Sequence, residues 1–118
     1  MRKTIFILII IILCTGLLGC GPKKQLYNPG EYVGVGEGHH GPIRVIVTTD
    51  EYSIIDILVI EEYEMPELAV IVYDKIPKKV IKTNNANVDV VAGASYTSVG
   101  LIEAINDGLN KALIAPNK

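Results

Sequence analysis

Two hydrophobic rhythms run along this chain after an opening apolar block, and they lay out its elements in order. Ile5 to Leu13 is almost unbroken apolar sequence. Further on, Glu31 to Gly38 sets Tyr32, Val33 and Val35 among three glycines, which predicts an edge strand whose backbone comes close to something. The β-rich run Ile43 to Thr48 predicts a second strand, Thr49 to Tyr52 a turn, and Ser53 to Ile60 a third strand. Residues 31–60 therefore read as a small antiparallel meander.

The period then changes from two to about four. Met65-Pro66-Glu67 puts proline in a first helical turn, and Leu68, Val72, Ile76 and Val80 recur every fourth residue, predicting a helix from about Glu67. Pro77 falls inside it, so a break is expected there, with a shorter helical piece through Lys82. The β-branched run Val70-Ile71-Val72 leaves a strand as the alternative. Asn84 to Asn87 is a polar loop and Val88 to Val91 a short extended stretch. Leu101, Ile105, Leu109 and Leu113, widened by Ile102 and backed by Glu103, Asn106, Asp107 and Asn110, predict an amphipathic helix over 98–113 that Pro116 ends. The fold class is α+β: a small antiparallel sheet packed with helices.

The opening block has its own logic. Arg2-Lys3 precede the apolar run, and Leu17-Leu18-Gly19-Cys20 closes it with a small residue before cysteine, the pattern of a bacterial lipoprotein signal. A peptidase then cuts before Cys20 once diacylglycerol has alkylated its thiol, and the acyl chains hold a soluble domain on the membrane. Residues 1–19 are thus expected to be a signal peptide, 20–26 a lipidated tether and 27–118 the domain, on the outer face of the cytoplasmic membrane. A plain transmembrane helix is the alternative, but the strongly apolar part is shorter than the roughly 20 residues a span needs.

Composition sharpens this picture. Of 118 residues, 49% are hydrophobic, and removing residues 1–19 leaves 99, enough for one modest core. Arg2 and Lys3 leave too, so nine basic residues face 13 acidic ones and the formal charge moves from -2 to -4. Such a balance offers no basic stripe for nucleic acid. The two cysteines are Cys14 and Cys20, so the mature chain keeps one and forms no internal disulfide.

Three stretches carry candidate chemistry. Gly36 to Gly41 satisfies G-x-G-x-x-G, but Pro42 and a strand follow where the dinucleotide fingerprint needs a helix. His39-His40 lack the further ligands a metal site requires, since no other histidine exists, and neighbouring side chains in extended backbone point apart. No metal is expected. Asp89-Val90-Val91-Ala92-Gly93-Ala94-Ser95-Tyr96-Thr97-Ser98 is the informative one: an acid, a permissive glycine, two small alanines and three hydroxyls run into a helix. Unpaired first-turn amides and the helix dipole favour an anion there, so the stretch suits a phosphate. Ser95, Thr97 or Ser98 can hydrogen-bond that phosphate or bond it covalently; in the plainer reading Thr97 or Ser98 is an N-cap and Asp89 a turn residue.

Here the chain resembles the FMN-binding domain found in small surface lipoproteins and in flavinylated subunits of the sodium-pumping quinone reductase and the related Rnf complex. That family's hallmark is an aspartate, two variable residues, then Ser/Thr-Gly-Ala-Thr/Ser-x-Thr/Ser opening the last helix; Asp89, Gly93, Ala94, Ser95 and Thr97 match it. Ala92 stands where Ser or Thr is usual, and Ser95 where Thr is more common. Gly30 to Gly34, Gly41-Pro42-Ile43, Glu61 to Pro66 and Ile76 to Ile81 look like further landmarks in the right order.

The resemblance implies FMN as cofactor, esterified by a flavin transferase using FAD, with Ser95 the first candidate acceptor and Thr97 the second. It implies that Gly93, Ala94 and Ser98 belong to the phosphate loop at the C-terminal helix, and that Asp89 belongs to the same cofactor-binding motif as part of the sequence the transferase reads. Glu64 and Met65 then lie near the flavin, and one histidine, with Gly38 and Gly41, lines the ring edge. The implied function is extracytoplasmic electron transfer, with redox partner proteins or quinone-linked membrane components. The alternatives are a reversible flavin-binding or adaptor lipoprotein and a flavin-dependent reductase of an external acceptor. No catalytic triad is apparent.

Overall fold

The computed structural model describes residues 24–114. The signal segment, Cys20 and Pro116 lie outside the described residues. Three strands, β1 (Gly30–Glu37), β2 (Pro42–Thr49) and β3 (Ile54–Glu61), form an antiparallel sheet in the order β1-β2-β3. Two helices follow, α1 (Pro66–Thr83) and α2 (Ser95–Ala112). The α+β meander-then-helix architecture expected from the sequence is the one observed. Among the described residues no helix is long and apolar enough to cross a membrane.

Alternation along the strands decides which face is covered. Ile43, Val45 and Val47 of β2 are completely buried, as are Val72, Ile76 and Val80 of α1 and Leu101 and Ile105 of α2, so one core lies between the sheet and both helices. On the other face the register sets Val33 beside Ile46 and Ile46 beside Leu58, and Val33 and Leu58 stay exposed.

The glycines of β1 explain how α2 is seated. A side chain on Gly34 would run into the Ala104 carbonyl, and one on Gly36 into the Gly100 carbonyl. On the helix, Gly100, Ala104 and Gly108 repeat every fourth residue and are the face that meets them. This is the close approach that the glycine-rich strand foretold. The same helix covers the outer edge of β1: Asp107 Oδ2 accepts the Val35 N–H at 3.0 Å, Glu103 Oε2 that of Glu37 at 3.4 Å, and Lys111 Nζ donates to the Val33 carbonyl at 2.6 Å. Those groups would otherwise be open to strand addition. The Val35 N–H, more than burial opposes and with help from Lys111, holds the Asp107 carboxyl below its ordinary value.

Three expectations are corrected. Pro77 does not break α1, which runs unbroken through it. Its missing N–H costs the bond to the Tyr73 carbonyl, but Ile76, Pro77 and Val80 are buried together, and packing outweighs one lost bond. The helical reading of Val70 to Val72 holds against the strand alternative. Helix α2 starts at Ser95 instead of 98, because Ala94 already occupies the N-cap and its carbonyl takes the Ser98 N–H at 2.9 Å. It ends at Ala112, so Leu113 leaves the apolar stripe and pairs with buried Tyr27 in an isolated bridge.

Candidate functional site

The early start of α2 places Ser95, Tyr96 and Thr97 in its first turn. No side chain caps that turn and no acid stands in it, so its free amides keep their positive end of the dipole. Gly93, just before, sits at φ 83°, a left-handed conformation that a side chain would strain, and no atom lies within 4 Å of where a Cβ would be. The turn is therefore both electropositive and open.

A cavity of about 240 Å³ lies against it, lined by His39, His40, Met65, Leu68 and residues 93–97. The His39 ring stacks on Tyr96, with centroids 5.1 Å apart and planes 27° apart. Met65 and Tyr96 are largely exposed at its rim. One wall is thus polar amide and hydroxyl, and the remainder aromatic and apolar. Such a mixture accommodates a phosphate at one end and a flat conjugated ring beyond it.

The two walls meet at Glu64. Its Oε1 accepts the His39 N–H at 2.6 Å and the Thr97 hydroxyl at 2.9 Å, and its Oε2 accepts the His40 N–H at 2.7 Å. Only 6% of Glu64 is exposed. Burial pushes its carboxyl up, but the two backbone amides, the Thr97 hydroxyl and the nearby His40 together outweigh burial and hold it below its ordinary value. The acidic run around it serves three structural ends. Glu61 pairs with Arg44 at 2.8 Å, Glu62 accepts the Glu64 N–H and the Tyr73 hydroxyl, and Glu64 is buried. Burial, followed by the charge and hydrogen bond of Glu62 and the charge of Glu64, pushes the Tyr73 phenol up.

Met65, Gly93, Ala94, Ser95 and Thr97 come together on the cavity wall with both histidines, whereas Gly38 and Gly41, expected beside a histidine at the ring edge, are not part of the lining. Glu64 lies behind the wall, tied to it. Ser98 is completely buried, its Oγ donating to the Ala94 carbonyl at 2.7 Å and accepting the Val91 N–H at 3.0 Å, so it braces the loop from within. Neither Thr97 nor Ser98 is the N-cap. Asp89 is exposed and does not line the cavity.

The three hydroxyls consequently differ. Thr97 is buried and engaged, Ser98 is buried and engaged twice, and Ser95 is exposed on the wall with no hydrogen bond from its side chain among the described residues. Sequence reasoning passed over Tyr96 and Leu68. Tyr96 occupied a variable position of the motif, and only an earlier helix start turns it toward the cavity. The histidines are not splayed apart, because they sit in the β1–β2 turn, and their rings meet edge to face at 4.5 Å.

Comparison with known proteins agrees with this geometry. The model of the FMN-binding domain family matches residues 38–110, from the β1–β2 turn to the last turns of α2. The chain is 31% identical over 86 residues to an NADH:acrylate oxidoreductase of Vibrio harveyi, a match covering 73% of this chain and 9% of that protein. It thus spans less than a tenth of that relative's length. Cavity, uncapped helix and family match converge: this chain belongs to the FMN-binding domain family and is a flavin-binding protein.

Proposed function

We propose that the protein is an electron carrier whose FMN is joined through its phosphate to Ser95, and that acyl chains on Cys20 hold it at the outer face of the cytoplasmic membrane. The observation that carries the attachment site is the contrast among the hydroxyls: Ser95 alone of the three is both exposed and unengaged on the cavity wall. The free amides of residues 95–97 would hold the phosphate. His39, Tyr96, Met65 and Leu68 offer the flat and apolar surfaces for the ring. Anchoring is supported by the Leu17-Leu18-Gly19-Cys20 sequence behind its apolar run.

Attachment uses FAD and a flavin transferase. The Ser95 Oγ–P bond forms as the pyrophosphate bond of FAD breaks, AMP leaves, and the hydroxyl proton is released. When bound, FMN supplies one- and two-electron transfer, while the protein supplies attachment, orientation and electrostatics. The name of the Vibrio relative favours a second reading, a flavin-dependent reductase of an external acceptor.

Intact mass and in-gel flavin fluorescence of the protein, expressed with and without a flavin transferase, test the proposal alongside Ser95→Ala and Thr97→Ala. The expected result is a transferase-dependent gain of FMN less water, abolished by Ser95→Ala and retained by Thr97→Ala. No gain in any form leaves reversible flavin binding or an adaptor role. Turnover of a soluble donor and acceptor, lost in Ser95→Ala, identifies the reductase. Intact mass of the membrane fraction should show wild type without residues 1–19 and carrying diacylglycerol on Cys20, and Cys20→Ser uncleaved and unlipidated.

A further inference from the structure

Glu64 does not line the cavity, yet both walls hang on it. Its carboxylate takes donors from two remote segments, the β1–β2 turn at His39 and His40 and the first turn of α2 at Thr97. Room for it is made by Gly38, where a Cβ would stand 2.5 Å from Glu64 Oε1. Among the described residues no lysine or arginine pairs with it, so its charge is stabilised by these dipoles and by His40. A carboxylate accepting short charge-assisted bonds is a stronger tether than a neutral group in its place.

We propose that Glu64 is the positioning residue of the flavin cavity: one buried carboxylate clasps the His39–His40 turn to the first turn of α2, sets the gap between the walls, and keeps the Thr97 hydroxyl occupied. The clasp itself stands on the geometry, and only its consequence for the ligand rests on the flavin reading. Without the carboxylate, two backbone amides and a hydroxyl lose their shared acceptor. The turn then swings away from α2, and the stacked His39 and Tyr96 rings part. Glutamine at this position offers one acceptor oxygen where the carboxylate offers two, so it keeps part of the clasp and releases one of the histidine amides. Valine at position 97 removes the hydroxyl alone and leaves both amides held.

The test uses the full chain without covalent flavin, comparing wild type with Glu64→Ala, Glu64→Gln and Thr97→Val. Hydrogen exchange and the NMR shifts of the His39 and His40 amide protons report the clasp, and quenching of added FMN fluorescence reports affinity. In wild type both amide protons should lie downfield and exchange slowly. In Glu64→Ala both should move upfield and exchange about tenfold faster or more, FMN should bind about tenfold more weakly, and Val45 and Val47 should be unchanged. Glu64→Gln should release one of the two amides and Thr97→Val neither, so these variants decide the matter if Glu64→Ala does not fold. The proposal is overturned if the histidine amides stay protected in the Glu64 variants, or if they are released with FMN affinity unchanged. If wild type binds no FMN, the flavin reading fails, while the amide data still judge the clasp.

Discussion

The β1–α2 seam, along the middle of the helix, and the flavin cavity, at its first turn, are built on opposite principles. At the seam, backbone meets backbone: Gly34 and Gly36 press against Gly100, Ala104 and Gly108, leaving no side chain free to adjust. At the cavity, large side chains such as Tyr96 and Met65 stand exposed, and a single carboxylate spans the gap. The difference teaches how one small domain separates tasks. Steric contact fixes where α2 lies, while a few polar bonds fix where the His39–His40 turn stands against it, so that wall can change without moving the helix.

The sharpest way to break this contrast is to give the seam a side chain. Gly34→Val drives a branched group into the Ala104 carbonyl and the Gly108 amide, backbone atoms that cannot turn aside. The expected loss is more than about 3 kcal/mol, a fall in Tm of more than about 12 °C by thermal denaturation. A native Tm in that variant would mean that the seam yields as readily as the cavity does.

Acid gives an intermediate effect and acts on the cavity end. The folded pKa of Glu64 is depressed, so its bonds add stability above the ordinary glutamate range, about pH 4.3, and that contribution is lost as pH falls through the lower folded value. The Tm difference between wild type and Glu64→Gln should therefore be steady near neutrality and shrink below about pH 4. Asp107, also depressed, loses its contribution in the same sense but does so in both proteins. The groups facing Glu64 are His39 and His40 from the turn, neutral Thr97 from α2 and the Tyr73 phenol from α1, with Glu62 on its own segment. A difference independent of pH would show that the carboxylate charge contributes nothing to the clasp.

The smallest effect on stability should come from the rim. Tyr96 is 73% exposed, so Tyr96→Ala should change stability by no more than about 0.5 kcal/mol. Loss of an aromatic wall should nevertheless weaken FMN about three- to tenfold, as measured by fluorescence titration. Equal losses in stability and affinity would place Tyr96 with the scaffold and blur the distinction.

Much of this division was visible along the chain. Alternation in Ile43 to Thr48 and the fourfold spacing of Leu101, Ile105 and Leu109 report burial directly, because period and face are linked by local geometry. The glycines of β1 likewise signalled a close approach, though not what approaches. Pro77 misled because its cost is local and legible, whereas the burial of Ile76 and Val80 that offsets it is not. The start of α2 was misplaced by three residues for a related reason: small residues at 92–94 fit loop or helix equally, and the Ser98 bonds to Val91 and Ala94 settle the boundary.

By itself, then, the sequence determined the order of strands and helices, the glycine-rich strand that must lie close to a neighbour, and the Asp89-to-Ser98 stretch whose amides and hydroxyls suit a phosphate. Each of these depends on residues a few positions apart, where backbone geometry alone sets the relation. Tertiary structure decided which hydroxyl is free, that Tyr96 stacks on His39, and that Glu64 joins partners 25 and 33 residues away. Those outcomes depend on how the sheet and helices dock. No local period encodes that docking, because it follows from burying one shared core.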